Sequence, residues 1–306
     1  DRFTNYNDLG IAFVDEKNQW EPRLGFSWDV NGDSSFKVYG NAGRYYLALP
    51  DNVAERAANR STYTSDYYTY TGVDSNGIPL GLTPVPGVGG GPPPGPVSAD
   101  TELGQPKDAK QVTASNLKAQ YQDEFILGFD KTLGPNWVYG VKLTYRQLKT
   151  AIDDECDPGK IYDKINEMGY NADDYYDAIV NPYCRLINPG LTNVLAVAKN
   201  DGSGYLNVSM SQSDWGYLEK AKRTYAGLDL YLEHPFDGKW QGRIDYTYAR
   251  NRGNTEGQVR SDFGQADVSK TEDWDTWQLM DGANGELANV RKHQVRIRGA
   301  YQATPE

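Results

Sequence analysis

The chain has 306 residues, 38% of them apolar, with a net charge of −11, a mean hydropathy of −0.71 and a pI near 4.8. So acidic a polypeptide is a poor partner for nucleic acid, whose phosphates need a basic patch. No run approaches the ~20 apolar residues of a membrane helix, which leaves a barrel open, because there only every second strand residue meets lipid.

The first predicted hairpin is RLGFSWDV (23–30), a turn NGDSS, and FKVYGNAGRYY (36–46). Leu24, Phe26, Trp28 and Val30 alternate with Arg23, Gly25, Ser27 and Asp29, the period-two pattern of a strand with one greasy and one wet face. Asn31-Gly32 is a turn signal, since both residues tolerate positive φ. A polar stretch of roughly seventy residues follows, holding TYTSDYYTYTG and a Gly/Pro run at 87–96 that cannot form a helix or a central strand. The second hairpin is EFILGFDKTL (124–133), a turn GPN, and WVYGVKLTY (137–145) continuing to Ile152. A second loop of similar length carries both cysteines. The third hairpin joins TYAGLDLYLEH through PFDGK to WQGRIDYTYARNR, and a third long loop leads to HQVRIRGAYQ.

About seven amphipathic strands, tight turns at one end and very long polar loops at the other, are the habit of an outer-membrane barrel. Lys142, Asp229, Arg243, Asp245, Arg296 and Arg298 fall mid-strand on the polar faces. They suit a water-filled lumen and would be costly in a packed sandwich. Trp28, Phe36, Trp137 and Trp240 all flank the short turns, as an aromatic girdle requires. The expected fold is therefore all-β, an antiparallel transmembrane β-barrel, partial, with long loops at about 47–122, 151–222 and 251–291 on the extracellular side. No signal peptide is visible, and the chain stops just after a strand, so it reads as a piece of a longer polypeptide.

Cys156 and Cys184 share one loop, which in an oxidising extracellular setting points to a disulfide worth ~3–4 kcal/mol on the chain-entropy model. The stretch between them reads as one or two short helices. Asp153, Asp154, Glu155 and Asp157 form an acidic cluster, compatible with calcium but read here as a solvated surface loop. His234 and His293 are the only histidines and have no partner at metal-ligand spacing, so no metal site is expected. GxSxG, HExxH and phosphate-cradling glycine loops are missing from the sequence, and no carboxylate pair stands out, so no enzyme activity and no cofactor are expected. Tyr63, Tyr67, Tyr68 and Tyr70 could stack on a sugar or a peptide, or serve loop packing. With lumen-facing Lys142, Arg243, Arg296 and Arg298 they are the candidate ligand contacts.

The stretch 253–301 carries an EGxVxSDxGQ loop, an LMDGAxG approach and an Arg-x-His step into a strand ending in GAY. With PRLGFSWDVNGDSSFKVYGNAGRYY and NVAERAANRSTYTSDYYTY, it resembles TonB-dependent outer-membrane receptors of the Oar-like subgroup, which carry a carboxypeptidase-regulatory-like domain. The resemblance covers most of the chain. It implies a barrel of about 22 strands, of which the whole of residues 1–306 would form roughly a third, with plug domain and barrel remainder absent. It further implies the outer membrane of a Gram-negative bacterium, lipid around the wall, the energy-coupling protein TonB acting through the missing plug, and import of an extracellular nutrient such as a peptide, glycan or chelate. Two other functions stay open: a surface adhesion or binding protein without transport, and a secreted β-rich hydrolase.

Overall fold

The computed structural model describes residues 2–4, 12–15, 18–49, 62, 64–85, 97–98, 103–104, 107–257, 271–288 and 290–304. Tyr63, the Gly/Pro run at 87–96 and most of the EGxVxSDxGQ loop lie outside them.

Two short strands, β1 (Arg2–Thr4) and β2 (Ala12–Asp15), pair with each other ahead of the wall. The first hairpin consists of β3 (Arg23–Asp29) and β4 (Phe36–Leu47). Four two-residue strands form a narrow arm in the first loop, β5 (Tyr68–Thr69) against β8 (Thr83–Pro84) and β6 (Gly72–Val73) against β7 (Pro79–Leu80). The second hairpin is β9 (Gln120–Leu133) and β10 (Trp137–Thr150). In the second loop, β11 (Asp153–Glu155) pairs β12 (Arg185–Ile187), and β13 (Asn193–Ala198) pairs β14 (Tyr205–Met210). The third hairpin is β15 (Arg223–His234) and β16 (Trp240–Gly253), followed by β17 (Gly285–Glu286) and β18 (His293–Tyr301).

The wall is one antiparallel meander in the order β3, β4, β9, β10, β15, β16, β18, with short β17 pairing the upper end of β16. Its register explains why the sequence alternates. One cross-strand row runs Trp28, Val38, Phe129, Val141, Leu230, Tyr246, Val295, apolar throughout. The adjacent row on the other face runs Ser27, Tyr39, Gly128, Lys142, Asp229, Thr247, Gln294, and is polar. A slip of one residue between any two strands would put the charges on the greasy face, so the pattern itself fixes the pairing. Among the described residues, none covers the greasy face. Leu24 is 74% exposed and Ile297 75%, as outward residues of a lipid-facing wall are. Among the described residues the sheet does not close, as expected of part of a barrel.

The short turns gather the aromatics. Trp137 meets Trp240 at 6.0 Å between ring centroids, and His234 stacks on Trp240 at 3.9 Å. In the first turn the Asp29 carboxylate accepts from the backbone N–H of Gly32 (3.1 Å) and of Ser34 (2.7 Å). Positive φ falls on Gly32 and Ser34, not on Asn31 as the dipeptide signal suggests, because this carboxylate organises a six-residue connection in place of a two-residue turn.

The hydrophobic core lies in the loops, contrary to the expectation of polar connections. Helix α1 (Pro158–Glu167) turns Ile161 and Ile165 inward, and α2 (Tyr176–Val180) adds Ile179. The β13–β14 hairpin contributes Leu195, Val197, Val208 and Met210, and α3 (Gln212–Trp215) contributes Trp215. Helix α3 is short, yet its ends are well made: Ser211 and Asp214 form a reciprocal capping box, and Gly216 at φ 90° closes it. A fourth helical turn, α4 (Trp277–Met280), packs its ends against this core. We refer to the assembly as the cap.

Candidate functional site: lumen wall and extracellular cap

On the polar face of the wall the charges neutralise one another across strands. Lys37 reaches Asp130 at 2.7 Å, and Asp130 also accepts from the Tyr231 hydroxyl at 2.7 Å. Lys142 pairs with Asp229 at 3.1 Å, and Thr247 donates to the same carboxylate at 2.6 Å. Arg243 bridges Glu233 (2.7 Å) and Asp245 (2.8 Å), with its guanidinium 4.0 Å from the Tyr231 ring centroid. Arg298 approaches Asp245 at 3.8 Å. Oriented with its oxygen toward Arg296, Gln294 accepts from that guanidinium at 3.0 and 2.9 Å. Tyr231 can cross to Asp130 because Gly140 stands beneath it, where a Cβ would meet the ring at 2.2 Å.

Lys142, Arg243, Arg296 and Arg298 thus come together around one recess of about 540 Å³, with Tyr39 and Asp245 among its other lining residues. All four have polar partners in the wall, so the recess is a balanced ladder that can exchange hydrogen bonds, not a concentrated positive field. Tyr67, Tyr68 and Tyr70 do not line it. They stand on or beside the β5–β8 arm and are about half exposed. Tyr63 falls outside the described residues.

The cap sits on the loop side of the wall and ties all three long loops together. Cys156 and Cys184 form a disulfide across 28 residues. The return of the first loop is stitched to the second: Thr113 bridges Leu186 in parallel, and Ser115 N donates to Val194 O. Asn188, fully buried, donates to Lys118 O and Ala151 O at 2.8 Å each and accepts from Lys118 N at 2.7 Å. The third loop inserts Trp274, which has no exposed surface and lies 5.0 Å from the Tyr217 ring. The Tyr217 hydroxyl donates to Trp274 O.

The acidic cluster corrects the sequence reading. Asp153, Asp154 and Glu155 are buried in β11, not solvated. Asp153 is an anchor: Thr271 donates to it through its backbone N–H and its hydroxyl, both at 2.7 Å, which fastens the third loop to the second. Burial, then the neighbouring Asp154 charge, pushes the Asp153 carboxyl well above the usual carboxylate range. Burial does the same to Glu155. Arg185, opposite Glu155 in the β11–β12 register, is buried too, and burial lowers it to about 10, so it remains a cation at neutral pH. Its guanidinium donates to Ile179 O (3.2 Å) and Ala178 O in the last turn of α2, where carbonyls lack helical partners. Sequence reasoning missed this buried set, because four acids in five residues read as surface until the chain that covers them is placed.

A two-faced sheet, an outer apolar band rimmed by aromatics and a lumen lined by charge define a class of protein. The family description "Outer membrane beta barrel domain" matches residues 5–304, and the chain belongs to that family of outer-membrane barrels. Among characterised proteins it is similar to the "TonB-dependent transporter Oar" of Myxococcus xanthus, at 25% identity over 93% of this chain. The chain spans about a quarter of that relative's length, 24%. These two matches, together with the wall, make it part of an outer-membrane barrel that is similar to a TonB-dependent transporter.

Proposed function

We propose that this chain forms wall and cap of a receptor that captures an extracellular solute and imports it with energy from TonB. The observation that carries the reading is the division of labour between the two faces. A lipid-facing band makes the segment a membrane wall, while the recess at Tyr39, Lys142, Arg243 and Arg298 offers donors and acceptors along a water-filled path. The similarity to a TonB-dependent transporter supports the coupling. The folded cap supports capture, since a rigid surface over the mouth binds with less ordering cost than free loops. No step here uses a catalytic group or a cofactor.

The test uses cells bearing the full-length receptor, with fluorescent oligopeptides, oligosaccharides and a ferric chelate offered separately. Accumulation of one probe in the periplasm, abolished by a protonophore, is the expected result. Surface binding without energy-dependent accumulation would instead make it an adhesion protein, a reading to which the exposed Tyr67, Tyr68 and Tyr70 arm lends itself.

A further inference from the structure

Cys156 and Cys184 stand opposite each other at the end of the β11–β12 ladder, one step beyond the Glu155–Arg185 pair, with 4.2 Å between their Cα atoms. Residues two apart on a strand share a face. Asp154 therefore lies on the side of Cys156, and Glu155 on the other. Asp154 Oδ2 is 3.9 Å from Cys156 Sγ. The third loop brings a second carboxylate: Cys156 N donates to Asp275 O at 2.9 Å, and Asp275 Oδ1 stands 3.3 Å from Cys156 Sγ. One ligand atom each from Asp154, Cys156 and Cys184 lie within 4.8 Å of one another.

A disulfide sulfur carries no hydrogen, so neither carboxylate is drawn to Sγ by a sulfur donor while the bridge is intact. The backbone puts the two acids there regardless, Asp154 through the strand period and Asp275 through its carbonyl bond to Cys156. Their spacing fits another use. Around a tetrahedral zinc ion, with bonds of about 2.3 Å to sulfur and about 2.1 Å to oxygen, a sulfur and an oxygen ligand sit about 3.6 Å apart. The observed 3.3 and 3.9 Å fall on either side of that value. Only the bridge withholds the sulfurs, since the free thiolate is the ligand form.

We propose that, once the Cys156–Cys184 bridge is reduced, the two thiolates together with Asp154 and Asp275 hold one zinc-class divalent cation. The reductant is a dithiol. It becomes a cyclic disulfide, its two electrons break the S–S bond, and its two protons leave Cys156 and Cys184 as thiols. Binding the cation then releases both thiol protons to solvent. Two sulfurs favour a borderline or soft ion over calcium, and two carboxylates favour a divalent ion over copper(I). Buried Arg185, one register step from Cys184, offsets part of the charge of four anionic ligands. The two forms clamp different parts of the cap. The disulfide closes the second loop on itself, whereas the metal, through Asp275, also ties the third loop to the second. The site is in the cap, apart from the lumen recess, and is independent of what the receptor imports.

The test takes the full-length receptor in detergent, reduced with dithiothreitol, freed of it by gel filtration without oxygen, and offered zinc or cadmium ions alone. The reduced wild type should bind one more ion than the double variant Cys156→Ser, Cys184→Ser, and with cadmium should show the ultraviolet band of thiolate-to-metal charge transfer. The unreduced wild type should show neither. Asp275→Asn and, separately, Asp154→Asn should each weaken binding about tenfold or more, because even groups standing behind metal ligands are worth that much. Asp163→Asn, which removes the same charge from an exposed position of α1, should not. Zinc should also slow hydrogen exchange around Trp274 in the reduced wild type and not in Asp275→Asn. No ion taken up beyond the double variant, equal uptake by the unreduced protein, or full affinity in both aspartate variants overturns the proposal. Should Asp154→Asn disturb the folded cap, half-buried Asp275→Asn decides the matter alone.

Discussion

Wall and cap solve the same burial problem in opposite ways. In the wall, apolar residues such as Leu127, Val141 and Leu228 point away from the protein, and the polar face holds the ion pairs. In the cap, Ile165, Leu195, Val208 and Trp274 point inward, and the acids sit among them. The wall leaves its hydrophobic surface to lipid and its polar surface to water. The cap, standing in water, has to build a core of its own, and it does so from three separate loops held by one disulfide and a few buried side chains. Damage should therefore stay local: cap substitutions should loosen loops without unfolding the wall, and wall substitutions should act on membrane insertion.

The largest effect is expected from Trp274→Ala. Emptying a fully buried tryptophan site costs about 3–5 kcal/mol, so hydrogen exchange at β13–β14 should speed up while the heat-resistant migration of the barrel holds. Collapse of both together would show that wall and cap are one cooperative unit. Replacing Cys156 and Cys184 by serine should cost about 3–4 kcal/mol through the freed chain, seen as faster proteolysis around α1 and matched by reducing the wild type. On the wall, Val141→Arg places a cation in the middle of the apolar band, with an expected penalty of about 2–4 kcal/mol in urea-dependent folding into vesicles. A penalty near zero would mean that Val141 does not face lipid.

The smallest effect is a slope. Folded Asp153 and Glu155 hold protons at pH values where the unfolded carboxyls have lost them. Between the ordinary carboxylate range and their raised values, cap stability should fall as pH rises, then level off. Asp201, held down to about 2 by its hydrogen bonds to Ser203, works the other way: its contribution is present above the ordinary range and is lost as pH drops through the lowered value. Hydrogen exchange of the cap against pH checks the sign, and Asp153→Asn should flatten the falling limb.

The sequence by itself determined the wall. Trp28, Val38, Phe129 and Val141 alternate strictly with polar neighbours, and a period of two is a local property that survives without knowledge of partners. The same alternation made Lys142, Arg243, Arg296 and Arg298 legible as lumen-facing, and the shared loop made the cysteine pairing legible. Tertiary structure alone decided the rest. That Lys142 meets Asp229, or that Thr271 reaches Asp153 from 118 residues away, depends on register and loop return, which no local pattern encodes. The cap core hid for the same reason: Ile161, Leu195, Met210 and Trp274 sit on short elements of differing period, and only their meeting in space turns polar-looking loops into a core. The acids beside Cys156 read as surface for want of that meeting. Burial belongs to the assembled chain, whereas alternation belongs to the strand.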